Sequence, residues 1–406
     1  MSRTDTVLIA GGGIGGLTAA IALGRKGHPT KVIERADGFG AIGYGIQLGP
    51  NAFHMFEKIG LAEDMLRYAS LPDDILAYDA LTGKKLLRVP LGGAIQERYG
   101  QPYAVIHRGD LHKVLVDACN RLGTVDLQSG CELTSFEDVG DGVRALTSSG
   151  ESLEVAALVG ADGIHSTVRT QILGPWKEEP IGYAAFRRVV PMEEVPARFA
   201  PNSVVCWCGP GFHLVHYPLR GGKLFNMVAV THYEPSDDPE VLPKRLLEGY
   251  SRSCEPMQAL VQYMDFSRHW PIKDITPPSS WSRGRVAIIG DAAHAMVQAM
   301  AQGACQAIED GVQISECLER RDGDYVGAFE DLWHDRLLRA MRTHYLSRYV
   351  WEMIHVDEGL AAFRNEMLPQ TSDMGWLEKL RWLYENPTEH NAAETAGYFA
   401  PVVGTA

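Results

Sequence analysis

The apolar and polar positions alternate first as short buried runs. Residues 6–10 (TVLIA) predict a strand that runs into GGGIGG and then into the small-residue helix LTAAIALGRKG, closed at Gly27. TKVIE is a second strand ending at Glu34, so the chain opens on a strand–turn–helix–strand unit. The pattern changes over residues 71–92, where two β-like runs flank LTGKK as in a hairpin. YAVIHRGDLHKVLVDACNRLG returns to a strand feeding a helix, and LEVAALVGADG (153–163) reads as one apolar strand ending at Asp162. Residues 180–235 are β-rich again. SVVCWCGPGFHLVHYPLRGGKLFNMVAVTHY predicts three strands, the last two joined by LRGGK. After the loop DITPPSSWSRG, RVAIIGD is a further strand ending at Asp291, and a helix is predicted from near Gly303. From about residue 324 the spacing is helical to the end, with Trp376, Leu380 and Leu383 at helical intervals.

This order predicts an α/β fold: a Rossmann-like nucleotide-binding domain interrupted twice by β material and closed by helices. The expected divisions are 1–70, 104–178 and 273–345 for the discontinuous nucleotide-binding domain, 71–103 and 179–272 for the inserted β-sheet substrate domain, and 346–406 for a C-terminal helical region. No apolar run approaches the roughly 20 residues that span a bilayer, and the N-terminus carries no secretion pattern, so no membrane association and a cytoplasmic location are expected. The net charge of −13 repels phosphate backbones, which argues against a nucleic-acid partner. The seven cysteines form no CxxC pair and are odd in number, as expected of reduced thiols. Cys206 and Cys208 share one strand face and read as buried thiols.

Three strand ends carry the candidate chemistry. Gly11-x-Gly13-x-x-Gly16 follows a strand and opens a helix, and Glu34 ends the next strand 18 residues beyond Gly16. Glycines here allow a tight turn and close approach of backbone to a pyrophosphate. The helix N-terminus offers free N–H groups, and the acid accepts from ribose hydroxyls. This unit alone does not separate FAD from NAD. GADGIHSTVR sets Asp162 and Gly163 at a second strand end, with Ser166 and Arg169 at helical spacing, and GRVAIIGDAAHA sets Asp291 at a third. A purely local reading of the second motif is an Asp N-cap with an arginine further along the helix.

The three motifs, in this order, resemble those of the single-component flavoprotein aromatic hydroxylases, the para-hydroxybenzoate hydroxylase superfamily. The resemblance implies FAD as cofactor, held by Gly11, Gly13, Gly16, Glu34, Arg35, Arg108, Asp162, Asp291, Gly303 and Ala304. It implies that Asp291 meets the ribityl chain and that the helix near Gly303 points its N-terminus at the flavin N1–C2=O edge, where reduction puts negative charge. Arg108 is expected at the FAD phosphate or ribityl region and Asp162 also near the nicotinamide route. His294 is expected to pack beside the cofactor.

GIQLGPNAF (45–53), PYAVIHRGDLH (102–112), FHLVHYPLRGGK (212–223) and MAQGACQAIED (300–310) look most like the 3-hydroxybenzoate 6-hydroxylases; salicylate hydroxylases share GDAAHAM. Strand alternation puts His213 and Tyr217 on one face and His216 on the other. By resemblance His213 and Tyr217 line the substrate site and act catalytically on the phenol proton. Gln298, Gln302 and Gln47 are candidate substrate donors. Three positions depart from the family pattern: Ala295 for Pro, Ala299 for Tyr, and Tyr44 for Ala. Tyr44 is expected to fill the space vacated at 299 or to shift the flavin. The implied reaction is reduction of FAD by NADH (or NADPH), formation of a C4a-hydroperoxide with O2, and hydroxylation of a small phenolic carboxylate, foremost 3-hydroxybenzoate to gentisate. Salicylate, another phenol or a hydroxypyridine is the alternative substrate, and a flavin-bound NADH oxidase the more distant alternative. The C-terminal helices resemble the family's dimer contacts, which implies a homodimer.

Overall fold

The structure, a computed structural model, describes residues 5–40, 43–176, 178–234 and 240–387. Residues 388–406 of the expected C-terminal region lie outside it.

Four apolar runs form the centre of a six-stranded sheet. Its order is 282–283, 286–288, 157–160, 7–10, 30–34, 125–129, and every pairing is parallel except that of the 282–283 edge. From strand Val7–Ala10 the chain first steps outward to Thr30–Glu34 and Val125–Ser129. It then returns to the opposite side at Ala157–Gly160. The strand order therefore reverses between 7–10 and 157–160, and a crevice opens beyond the carboxyl ends of those strands. All three motifs sit on that edge. The apolar run 153–163, expected as one strand, is two: Ser152–Val155 pairs in a three-stranded meander, and only Ala157–Gly160 enters the parallel sheet. Both halves are apolar because both reach the core, so periodicity does not mark the break at Ala156.

Helices Ile14–Arg25 and Gly303–Arg320 cross the sheet in near backbone contact. A Cβ on Gly311 would lie 2.8 Å from the Ala19 nitrogen, and one on Gly15 3.2 Å from the Ala307 side chain. Small residues at the crossing thus bring both helix N-termini to the same crevice.

The second layer is a seven-stranded sheet in the order 270–274, 179–191, 224–232, 212–219, 203–209, 74–79, 85–90. One face packs on helices Val241–Ser251 and Glu255–Leu260 through Phe186, Leu214, Phe225, Leu246 and Met257. The other face meets the 31-residue helix Tyr325–His355 and the turn Gln298–Met300. None of the described helices is long and apolar enough to cross a membrane.

Candidate functional site

Gly11 has φ +113°, and a Cβ on Gly16 would lie 2.0 Å from the Gly11 carbonyl oxygen. Neither position accepts a side chain. Gly13 is different: a Cβ there would meet nothing within 4 Å, so it faces open space at the N-cap of helix Ile14–Arg25. The loop is held from both sides. Glu34 accepts from the Gly12 N–H at 2.8 Å and the Ala36 N–H at 3.0 Å, and His112 Nε2 bonds the Gly12 carbonyl at 2.8 Å. Arg35 is exposed beyond the strand end.

The two aspartates open on the same crevice. Asp162 accepts the Val168 N–H at 3.1 Å through Oδ2, but its Oδ1 is buried without a partner, and burial pushes its carboxyl above the usual range. The helix N-cap itself is Ser166, whose Oγ accepts the Arg169 N–H at 2.9 Å, not Asp162. Ser166 is the nearer residue with a side chain short enough to reach back. Asp291 is exposed to the crevice yet surrounded by protein, and that burial raises its carboxyl, against the pull of His294 and Arg108. Its Oδ1 lies 3.9 Å from where a Gly303 Cβ would stand, so it borders the N-terminus of helix Gly303–Arg320. Gly303 and Ala304 are half-exposed there. Arg169, buried, donates to the Ala292 carbonyl at 2.9 Å and so ties the two acid-bearing loops together. Arg108 opens helix Arg108–Arg121, its backbone N–H donating to the Tyr44 carbonyl at 2.8 Å; its guanidinium has no hydrogen bond among the described residues.

This donor set fits FAD. An open glycine cradle and a helix N-terminus suit a pyrophosphate, an acid at the second strand end suits a ribose, and the orphaned Asp162 oxygen and the cleft-facing Asp291 suit further hydroxyls. Arg108 supplies a free positive charge.

Behind the crevice, His294 is sealed. Its Nε2 bonds Asp310 Oδ2 at 2.6 Å, and its ring packs 5.2 Å from Trp281. It is a packing histidine.

The face that carries His213 and Tyr217 is built by register. His213, Val215 and Tyr217 stand opposite Val230, Val228 and Asn226, which stand opposite Ala185, Arg187 and Val189. Residues paired across an antiparallel sheet share a face, so His213, Arg187 and Tyr217 share one face, the one on which Arg187 meets Gln298. His216 turns to the other layer and accepts from Trp207 Nε1 at 3.1 Å. Arg187 Nη2 donates to Gln298 Oε1 at 2.8 Å, and its guanidinium lies 6.0 Å from the Tyr44 ring centroid. Among the described residues no carboxylate pairs with Arg187. Burial lowers its proton affinity, with Tyr217 opposing. Burial drives His213 well below its ordinary pKa and Tyr217 above its own. Tyr217 presses on Gly45, where a Cβ would lie 2.7 Å from the phenol oxygen.

Other expected members are placed differently. Gln302 is buried and turned away from this face: its Oε1 accepts from Asn51 Nδ2 at 3.0 Å. Gln47 Oε1 accepts from the Tyr103 hydroxyl at 2.6 Å, so that acceptor is already committed. Tyr44 and Ala299 have separate neighbours. Tyr44 meets Trp270 edge-on at 5.2 Å, whereas Ala299 packs with the clusters around Trp351 and Ile354. Tyr44 therefore does not fill the space beside Ala299; Trp270 draws the ring elsewhere. The sequence reading missed Arg187 and His355. AAFRRVV carries a signal for the first, since Arg187 shares strand parity with Ala185 and Val189. His355 has none: it bonds His213 from 142 positions away.

The profile of the FAD binding domain family matches residues 4–320. The 3-hydroxybenzoate 6-hydroxylase 1 of Aquipseudomonas alcaligenes is 38% identical over 388 residues, covering 95% of this chain and 98% of the relative. The 3-amino-4-hydroxybenzoate 2-monooxygenase of Streptomyces cremeus is 32% identical over 390 residues, covering 95% and 96%. Among solved structures, Klebsiella pneumoniae HpxO complexed with FAD and uric acid superposes with a TM-score of 0.83 at 25% identity, covering 93% of this chain and 96% of that one.

Proposed function

The chain belongs to the FAD binding domain family as a flavoprotein aromatic monooxygenase, and from that premise we propose that it hydroxylates a small phenolic carboxylate, 3-hydroxybenzoate to gentisate, with NADH and O2. The observation that carries the substrate class is Arg187. Arg187 is half-buried, held by Gln298 and without a carboxylate partner among the described residues; a carboxylate on the substrate completes the pair, with charged hydrogen bonds worth roughly 1.5–3 kcal/mol. FAD bound in the crevice would supply the activated oxygen.

The side chains then prepare the ring. A phenol with pKa near 10 transfers its proton uphill to a histidine of ordinary pKa 6.5, by about 5 kcal/mol, and burial makes His213 a weaker base still. An anionic substrate changes that balance. The substrate carboxylate completes the Arg187 charge, so the imidazolium formed on His213 enters a cavity that is otherwise neutral and stands beside the phenolate it has made. His213 takes the phenolic proton, Tyr217 hydrogen-bonds the phenol oxygen, and Gln298 holds Arg187 in place. Val215, Val228 and Trp351 keep the face dry. Among the described residues every cysteine is free, which fits a reducing compartment, the cytoplasm.

The test is NADH oxidation by the FAD-loaded protein with and without 3-hydroxybenzoate, with the product identified by mass and retention time. Stimulation with gentisate formed is the expected result. A protein that holds FAD but is not stimulated would overturn the substrate, and salicylate and the hydroxynicotinates would be tried next.

A further inference from the structure

We propose that His355 is a positioning residue that sets the tautomer of His213, keeping the proton on Nδ1 and leaving Nε2 as the lone pair that receives the phenolic proton. The proposal rests on the reading of His213 as the base.

The hydrogen bonds fix the order. His355 Nδ1 lies 2.8 Å from the Trp351 carbonyl, which only accepts, so Nδ1 carries the hydrogen. In a neutral imidazole the other nitrogen is then an acceptor. His355 Nε2 lies 2.7 Å from His213 Nδ1, so His213 Nδ1 is the donor. His213, neutral as well, is left with a lone pair on Nε2, which has no partner among the described residues. Each of the other three ring nitrogens of the pair is committed. Neutrality of His355 is supported by burial and by the nearby Arg364 cation, which together hold its pKa at about 4. A charged His355 would donate from both nitrogens and reverse the assignment.

The ring that sets the order is itself immobilised. It stacks on Tyr183 at 4.4 Å and packs against Trp351 at 4.6 Å. Its own carbonyl accepts from the Gly211 N–H at 3.2 Å, in the turn that leads into the His213 strand. Arg364 donates to the Ile354 carbonyl at 3.1 Å and pairs with Asp79 at 2.7 Å, pinning the helix end that carries His355. His355 relays no proton onward, because its outer partner is a carbonyl. It orients His213 and fixes which nitrogen is basic.

The tautomer is measured directly by long-range 1H–15N correlation on the FAD-loaded protein labelled with 15N-histidine, the His213 signals being assigned by their loss in His213→Asn. The expected pattern is a protonated Nδ1 and a bare Nε2. His355→Phe keeps a ring against Tyr183 and removes the acceptor. It is expected to shift His213 toward the Nε2–H form and to lower kcat about 10- to 100-fold, within the roughly 10²–10⁴-fold a positioned base supplies, with substrate affinity nearly unchanged. His355→Gln, which again offers an acceptor, is expected to restore both the tautomer and most of the rate. If the Phe variant fails to fold, the wild-type spectrum and the Gln variant still decide. A protonated Nε2 in the wild type overturns the proposal, as does an unchanged tautomer in a folded Phe variant. The spectrum needs no turnover, so a correct tautomer with no hydroxylation would instead count against the proposed function.

Discussion

At the scale of single residues, the proposed reading gives Arg187 and His213 separate demands on the ligand. Arg187 lacks a carboxylate partner among the described residues, and His213, lowered by burial, needs a phenolic proton to take. Both demands are met by a substrate that carries a carboxylate and a phenol. Arg187→Met removes the charge and keeps much of the side-chain bulk. The expected outcome is retained FAD and substrate binding weakened by about 10- to 100-fold, from the loss of charged hydrogen bonds worth roughly 1.5–3 kcal/mol. Titration of the flavin absorbance with 3-hydroxybenzoate checks it. An unchanged dissociation constant would remove Arg187 from the site.

At the scale of elements, the crevice exists because two helices touch almost backbone to backbone. Gly311→Ala inserts a Cβ 2.8 Å from the Ala19 nitrogen and 2.9 Å from the Thr18 Cβ, and backbone there cannot give way cheaply. Overpacking of this kind costs about 1–3 kcal/mol. The variant is expected to melt at lower temperature and to purify with less FAD, because both helix N-termini border the cofactor crevice. Gly123→Ala, whose Cβ would meet nothing within 4 Å, is the control. Equal behaviour of the two variants would sink the packing argument. This scale also separates what the sequence could and could not reveal. The strands that end in Ala10, Glu34 and Ile288 were legible because each is a short apolar run stopped by glycine or acid, and the His213–Tyr217 face followed from alternation alone. The split at Ala156 was hidden because both flanking strands are buried. The fate of Gln302 was hidden because its competitor, Asn51, lies 251 positions away. Tyr44 went astray for the same reason: Trp270 is not its neighbour in sequence.

At the scale of the whole molecule, one buried charge network ties the parts together. Arg336 pairs with Glu309 and, at 2.8 Å, with Asp310; Arg339 pairs with Glu309 at 2.7 Å and donates to the Trp382 and Leu383 carbonyls. Asn51 donates to Glu309 at 2.6 Å, and the Gly290 N–H and His294 both reach Asp310. The network thus links the Asp291 loop, helix Gly303–Arg320, the long helix and the last described helix. Burial by itself would raise both carboxyls; Arg336 and Arg339 at Glu309, and His294 and Arg336 at Asp310, overcome it together with their hydrogen bonds and hold each at about 2. Carboxyls depressed in the folded state contribute stability that is fully present above their ordinary values near 4 and is lost as pH falls toward 2. Acid unfolding is therefore expected across that window, and FAD should leave with it, since the Asp291 loop hangs from Asp310. Arg336→Met leaves two buried carboxylates short of a partner. It should cost about 3–5 kcal/mol at neutral pH and move the acid transition upward, because the carboxyls then protonate more easily. Arg336→Lys keeps the charge without the fork and should fall between. Flavin fluorescence and circular dichroism followed together from pH 7 to 2 would measure both effects. A folded Arg336→Met protein with the wild-type acid midpoint would show that the network holds the helices by packing and not by charge.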